Sequence, residues 1–331
     1  MAFIMTANVT IGDFKPVKPS SLKWRRSIDN YSDSALIVIP AICRLKSTGQ
    51  PYQYVETAQQ FTEGMKVQID AGYDGNNITR FKGFVKRINF TIPLEIECEG
   101  YSYQLRKKLD ISKSWPAGTK LKDILAFLVG GTDIKLSDAI PDITVESAVT
   151  LSHANGTQAL DMIKEKMLQT IYFTDDILYV GLRETKPIGD VKFQLGWNVV
   201  KDNGLKFNTD REFSDVKIVL RSRNKDGTFR AAIHDSKFTS TKVKQIRVQL
   251  TQDYMDKMAA DYKKTLVNVG YEGMITAFLI PYSEPGMSAS LKSKRYPERN
   301  GSYFIEAVDG EFSPHAGGRQ HIKIGNLLSN G

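Results

Sequence analysis

The residues of this 331-residue chain whose types could do chemistry are four histidines, two cysteines and one run of alternating glutamates. His153, His234, His315 and His321 include no His-x-x-x-His pair, and neither Cys43 nor Cys98 lies near one of them in sequence. Zinc and similar ions need clustered ligands of this kind. His315 and His321 flank Gly317-Gly318 and could share a ligand, but the same spacing suits two strand ends near solvent. A Cys–His nucleophile needs an exposed thiol beside an imidazole. AICRL and IECEG instead set Cys43 and Cys98 in apolar, strand-like surroundings, where small buried hydrophobes are expected, and two thiols do not make a disulfide framework. Glu95, Glu97 and Glu99 alternate, which places all three on one face of a strand. That pattern suits a solvated or channel-facing surface better than two carboxylates held across a cleft.

No Gly-x-Ser-x-Gly, Walker loop or Gly-x-Gly-x-x-Gly is present, and GGTD (130–133) and AGGRQ (316–320) lack the strand–loop–helix setting of a phosphate cradle. The sequence therefore assigns no catalytic, cofactor-binding or metal-binding residue and calls for no cofactor. The composition, 41% hydrophobic and 25% charged, is that of a soluble globular protein, and the length suggests about two to four domains. ALIVIPAIC (35–43) and ITAFLI (275–280) fall well short of the roughly 20 residues that cross a bilayer. MAFIMTANVTIGDF lacks the basic start, long apolar stretch and cleavage site of a signal peptide, so folding in a reducing cytoplasm is expected. The formal charge of +8 is spread along the chain. Its denser spots, KWRR (23–26), RKK (106–108) and KSKRYPER (292–299), read as solvated strand ends and loops as readily as phosphate contacts. In FKGFVKR the aromatics fall on opposite strand faces, which favours core packing over a base-stacking platform.

These residues must be positioned by a chain whose grammar runs β, α+β, β. Residues 1–111 carry short runs rich in branched and aromatic residues, with Tyr73-Asp74-Gly75-Asn76-Asn77 as a hairpin turn. Residues 112–187 read as an α+β insert of two helices against a small sheet. In TKLKDILAFLVGG, Leu121, Ile124, Leu125 and Leu128 share a helix face, with Thr119 as cap and Gly130-Gly131 as stop. In GTQALDMIKEKMLQ, Leu160, Ile163 and Met167 do the same. ITVESAV is expected as the strand before that second helix, and TIYFTDD and ILYVGL after it, with Asp175-Asp176 as the turn. Residues 188–331 return to β, with a turn at Asn224–Gly227, a strand at QIRVQL (245–250) and one inserted helix over 251–269.

EGMKVQID (63–70) is echoed by PGMSASLK (285–292), and each is followed by a second glycine, Gly83 and Gly301. Glycine suits corners where the chain bends sharply or backbones approach closely. Gly64, Gly83, Gly286 and Gly301 are accordingly read as the structural turns of a repeat. The fold class expected is mixed β and α+β, with two similar small β-barrel domains flanking the insert.

In order, FKGFVKRINF, LEIECEGYSYQLRKKL and TKLKDILAFLV resemble the phage baseplate hub and late-control-protein-D family, where strands of the form F-x-G-x-V-x-x-I and I-x-C precede a helix. RNGSYFIEAVDGEFSPHAGGRQHIKIG is similar to that family's closing strands, and the same fold forms the base of type VI secretion spikes. The resemblance implies a structural, non-enzymatic virion tail protein. It would assemble as a homotrimeric, pseudo-hexameric ring joining the tail-tube protein to a central spike protein, with DNA passing through but not specifically bound, and with no small-molecule substrate. It further implies that a spike or cell-wall hydrolase would be a separate protein. The alternatives are a tail-associated cell-wall-degrading enzyme and a basic nucleic-acid-binding protein.

Overall fold

Alternating burial builds the strands. In SLKWRRS, Leu22, Trp24 and Arg26 point inward while Lys23 and Arg25 point out, the period-two signature of a half-buried strand. The computed structural model describes residues 4–45, 53–183, 187–208, 216–223, 228–234, 240–246, 249–266 and 270–330. The turn expected at Asn224–Gly227, residues 247–248 of the QIRVQL strand, 184–186 of the insert and the last three residues of the 251–269 helix lie outside these.

The first β part supplies β1 (Met5–Ile11), β2 (Ser21–Ser27), β3 (Ser34–Ile39), β4 (Ile42–Leu45), β5 (Gln53–Glu56), β6 (Lys66–Tyr73), β7 (Asn76–Asn89) and β8 (Leu94–Glu99), then α1 (Ser102–Lys107). Next come β9 (Ile111–Trp115), β10 (Thr119–Lys120), α2 (Leu121–Val129), β11 (Lys135–Leu136), β12 (Thr144–Val145), β13 (Val149–Ala154), α3 (Gly156–Met167), β14 (Thr170–Thr174) and β15 (Ile177–Gly181). The remainder forms β16 (Asp190–Gln194), β17 (Val199–Asn208), β18 (Val216–Arg223), β19 (Phe229–His234), β20 (Ser240–Ile246), α4 (Gln252–Leu266), β21 (Gly270–Phe278), β22 (Ser288–Lys292), β23 (Gly301–Ser313) and β24 (Gly317–Asn330).

The two flanking parts do not form the two barrels expected from the sequence. Their strands join in one 12-stranded sheet whose path is β1-β6-β7-β8-β3-β2-β23-β24-β21-β17, with β22 paired to β23 and β16 to β22. No sheet among the described residues closes on itself. The reason lies in β2, which pairs with β23 from Leu22–Phe312 to Ser27–Ala307, so the edge that would close the first half joins it to the second. Short strands with glycine corners suit a coiled open sheet as well as a barrel, and local patterning does not separate the two.

The halves nonetheless share one order. Numbering the six sheet strands of each half along the chain, both read 1-4-5-6-3-2: β1-β6-β7-β8-β3-β2 and β16-β22-β23-β24-β21-β17. They differ at the first strand, since β1 runs antiparallel to β6 whereas β16 runs parallel to β22.

The inserted helices bury the faces read from the sequence: Leu121, Ile124, Leu125 and Leu128 on α2, and Leu160, Ile163 and Met167 on α3. That core continues into the small sheet β19-β18-β20 and α4 through Ile218, Leu220, Ala232, Met255 and Met258. Separate apolar cores fill the two halves of the large sheet. Thr119 does not cap α2; its hydroxyl donates to the Pro116 carbonyl at 2.7 Å. The other end of α2 is closed from outside, by the Lys108 ammonium donating to the carbonyls of Phe127, Leu128 and Gly130, which a helix terminus leaves without partners. α3 starts with a reciprocal capping box between Asn155 and Gln158. The strand expected over ITVESAV shrinks to Thr144–Val145, and the strand before α3 begins at Val149.

At the seam, Trp24 pairs across the ladder with Gly310 on one side and Ala35 on the other. A Cβ on Gly310 would stand 1.9 Å from the indole, so the ring occupies the space a side chain would take. Tyr73 donates to the Gly318 carbonyl at 2.9 Å, and the buried Arg80 guanidinium donates to Ala71 and Leu279 carbonyls, tying the first half to the second. Gly310→Ala should therefore displace Trp24 and lower stability by about 1–3 kcal/mol, the usual cost of overpacking. Urea unfolding followed by tryptophan emission tests this, and an unchanged midpoint and spectrum would show that the indole does not lock the seam.

Candidate functional site

The paired Gly-Met segments make the same turn. Gly64 and Gly286 have φ of +87° and +91°, a region costly for residues with a Cβ. Gly64 N donates to Val85 O, Val85 N to Met65 O and Met65 N to Thr62 O; Gly286, Ile305, Met287 and Glu284 repeat the set. The second glycines stand at different register positions. Gly83 pairs with Val67, whose counterpart Ala289 pairs with Tyr303, while Gly301 pairs with Leu291 at the start of β23. A Cβ on Gly83 would lie 2.2 Å from the Glu99 carbonyl, and one on Gly301 2.7 Å from Leu327.

The histidines are dispersed. His153 Nδ1 lies 2.7 Å from Asp110 on the exposed rim of the insert. His321 contacts Thr276 at 3.0 Å and Glu311 at 3.3 Å across three strands, His315 is exposed in the β23–β24 turn, and His234 ends β19. Among the described residues no group of three or more His, Cys, Asp or Glu is placed to hold a metal ion. Both cysteines are free. Cys98 is buried and its thiol is pushed well up by that burial, whereas Cys43 is only half-buried. Glu95 and Glu97 face outward, but Glu99 lies beneath α1, where it accepts from Ser102 and Arg106 at 2.8 Å each. The expected surface row of three acids is thus two acids and one buried ion pair.

What the structure brings together, and spacing did not reveal, is a buried charge node at the meeting point of three parts of the chain. Arg26 of β2 contacts Asp33 at 3.4 Å, Asp175 in the β14–β15 turn at 3.4 Å, and Glu284 before β22 at 3.3 Å. Tyr282 accepts from it at 3.4 Å, and Lys82 of β7 holds the other oxygen of Asp175 at 3.1 Å. A second node joins Arg183, just after β15, to Asp29 and Glu306, with Lys323 on Glu306 at 2.8 Å. Burial works against the Arg26 charge, but the acids and Tyr282 outweigh it and hold the guanidinium above its ordinary range. Asp33 is the most enclosed acid of the set. Burial pushes it up to about 7, against the opposing pull of Arg26, because two cations face three carboxylates and the least solvated acid keeps its proton most readily.

Across the seam the outer sheet face forms a depression of about 540 Å³. Lys23, Arg25 and Lys86 line it opposite Glu97, Asp309 and Glu311, three cations against three carboxylates. Arg25 pairs with Asp309 at 3.5 Å and His321 with Glu311 at 3.3 Å, so neighbouring strands largely neutralise one another.

The sign of the Asp33 shift fixes a pH dependence. A carboxyl raised in the folded state contributes stability that is complete below the ordinary carboxylate pKa and is lost as pH rises through the folded value, here from about 4 to about 7. Wild type should therefore lose stability relative to Asp33→Asn between pH 5 and pH 8 in chemical denaturation. Parallel profiles for the two proteins would exclude a protonated Asp33.

No protein-family model matches the chain, and no curated protein does. Solved structures do. A tail protein from Neisseria meningitidis MC58 superimposes with a TM-score of 0.67 at 14% identity, over 98% of this chain and 97% of that one. The 43 kDa tail protein of prophage MuSo2 from Shewanella oneidensis gives 0.64 at 12% identity, over 97% and 98%. An E. coli component of the type VI secretion system, itself similar to the T4 tail proteins gp27 and gp5, gives 0.57 at 9% identity, over 97% of this chain and 77% of that one. The chain shares the fold of these tail and type VI secretion system proteins.

Proposed function

We propose that the chain is a structural subunit of a phage-like tail baseplate, of the hub or late-control-protein-D kind, and that it works by assembly rather than catalysis. The observation that carries this reading is the shared 1-4-5-6-3-2 strand order of two halves fused in one sheet. Cyclic assemblies repeat one surface at fixed angles. Three copies of a chain with two like halves present six related surfaces, so a homotrimer can dock on a six-fold tail-tube protein while its three-fold face receives a central spike protein. In this reading the sheet halves belong to domains over 1–111 and 188–331, the latter with its inserted helix, and residues 112–187 form the segment between them. The full-length likeness to two tail proteins supports the same reading at the level of fold.

The balanced charges of the seam face support a surface that lets DNA pass without gripping it, since tight phosphate binding needs an excess of cations. The protein would be made in the host cytoplasm and end in the virion tail. Native mass measurement and electron microscopy at high concentration, alone and with tube and spike proteins, should give three-fold rings. Monomers under all three conditions, or DNA binding that weakens steeply with salt, would sink the reading.

A further inference from the structure

The two halves of the sheet match down to single residues. Val85 of β7 and Ile305 of β23 donate their amides to Met65 and Met287 of the paired turns, which makes them counterparts. Each is followed by the same one-residue slip. Val85 pairs with Cys98 and Arg87 with Glu97, passing over Lys86; Ile305 pairs with Ile324 and Ala307 with Lys323, passing over Glu306. Carried across the next ladder, the match sets Ala35 of β3, opposite Cys98, on Gly273 of β21, opposite Ile324. One strand further, Trp24 of β2 falls on Leu205 of β17. Arg25 then corresponds to Lys206 and Arg26 to Phe207.

Strand by strand, the halves have the same ladder partners except in one respect. β2 lies between β3 and residues 307–312 of β23. Its counterpart β17 pairs, among the described residues, with β21 alone. The counterpart of 307–312 is the end of β7 and the tip beyond it, residues 87–92. Arg87–Asn89 pair with β8 on one side, but on the other the β6 ladder has already ended at Phe84. Two edges thus lack a partner that their counterparts have, and each is the strand the other lacks. An unpaired edge is a template for another chain. We propose that β17 of one protomer pairs antiparallel with residues 87–90 of its neighbour, in the register of β2 on β23. Trp24–Gly310, Arg25–Asp309, Arg26–Val308 and Ser27–Ala307 become Leu205–Phe90, Lys206–Asn89, Phe207–Ile88 and Asn208–Arg87 between copies.

The side chains suit that register. Opposed residues share a face, so Phe90, 82% exposed, meets Leu205, and Phe207, 53% exposed, meets Ile88. Leu205 belongs to the apolar core of the second half and Ile88 packs against that of the first. The joint would therefore carry one core on to the next, as the seam does within the chain. At the seam the large residue is Trp24 and its opposite is Gly310; at the joint the larger residue, Phe90, comes from the other strand. Lys206 and Asn89 share the opposite face, where Arg25 meets Asp309 in the seam. The joint is shorter than the six pairs of the seam and has no indole over it. A second copy is the occupant because edge, direction and register all follow a ladder this chain already makes. The proposal rests on the ring-forming reading above and names the contact that would close the ring.

The test uses the full chain carrying Cys43→Ser, under the conditions that give rings. Opposed Cα atoms of an antiparallel pair stand about 4.5–5.5 Å apart, within reach of a disulfide. Asn89→Cys mixed with Lys206→Cys should give a linked dimer, either variant alone none, and the double variant a ladder ending at the trimer. Arg87→Cys mixed with Lys206→Cys, two residues out of register, should link far more slowly. Phe90→Asp, at an exposed site, should weaken self-association roughly tenfold or more with an unchanged circular dichroism spectrum. If wild type forms rings but Asn89→Cys and Lys206→Cys do not link and Phe90→Asp assembles normally, this contact is overturned while the ring reading stands. Linking by Arg87→Cys as fast as by Asn89→Cys overturns the strand pairing. If wild type remains monomeric with and without tube and spike proteins, both readings fall.

Discussion

The arrangement of the chain depends on one buried guanidinium. Arg26 is almost wholly enclosed, and its partners come from three separate stretches of the chain: Asp33 beside β3, Asp175 in the insert, Glu284 before β22. Burying a charge is costly unless it is paired, and removing one partner leaves the others uncompensated. The node therefore penalises any packing in which the insert hairpin or the Glu284 segment lies elsewhere. Apolar cores alone would tolerate sliding, because one methyl group serves nearly as well as another. The Arg183 node repeats the device, with Asp29 from the first half and Glu306 from the second. Two ionic clamps thus set where the inserted segment sits on the fused sheet.

Fusion of the halves has its own consequence. A barrel hides its edges by closing, whereas this sheet covers the β2 edge by pairing it with β23 and, among the described residues, leaves β1, β16 and β17 each paired on one side only. The halves cannot reorient independently without breaking the Leu22–Phe312 to Ser27–Ala307 ladder and expelling Trp24 from above Gly310. A ring built from such chains would have stiff pairs of like halves and softer joints only between protomers.

The sequence made much of this legible, and the limits have physical causes. Helix faces were readable because burial on α2 and α3 follows a 3.6-residue period that no tertiary contact overrides. Closure against fusion was not readable. It is decided by which edge β2 meets 280 or so residues later, and strand pairing at that range leaves no local pattern. The α2 start was misread because Thr119 has a nearer acceptor in Pro116, and Glu99 because alternation gives a face without saying that α1 covers it. The Arg26 node was hidden inside KWRR, where three of the four residues suggest a solvated basic run. Only the inward phase of β2, set by Leu22 and Trp24, marks Arg26 as the one that turns in.

Strongly shifted titration usually marks a catalytic centre, where an acid or base must be poised near the working pH. Here the shifted acid has a different setting. Asp33 does not line the seam depression, and its partners are an arginine it cannot deprotonate and two further acids. A proton held there changes the charge balance of the contact that fixes the insert to the sheet. Tyr31 sits at a similar joint: its hydroxyl, raised by burial, donates to Asp161 and ties the turn between β2 and β3 to α3. At Asp33 and Tyr31, perturbed ionisation falls where separate parts of the chain meet.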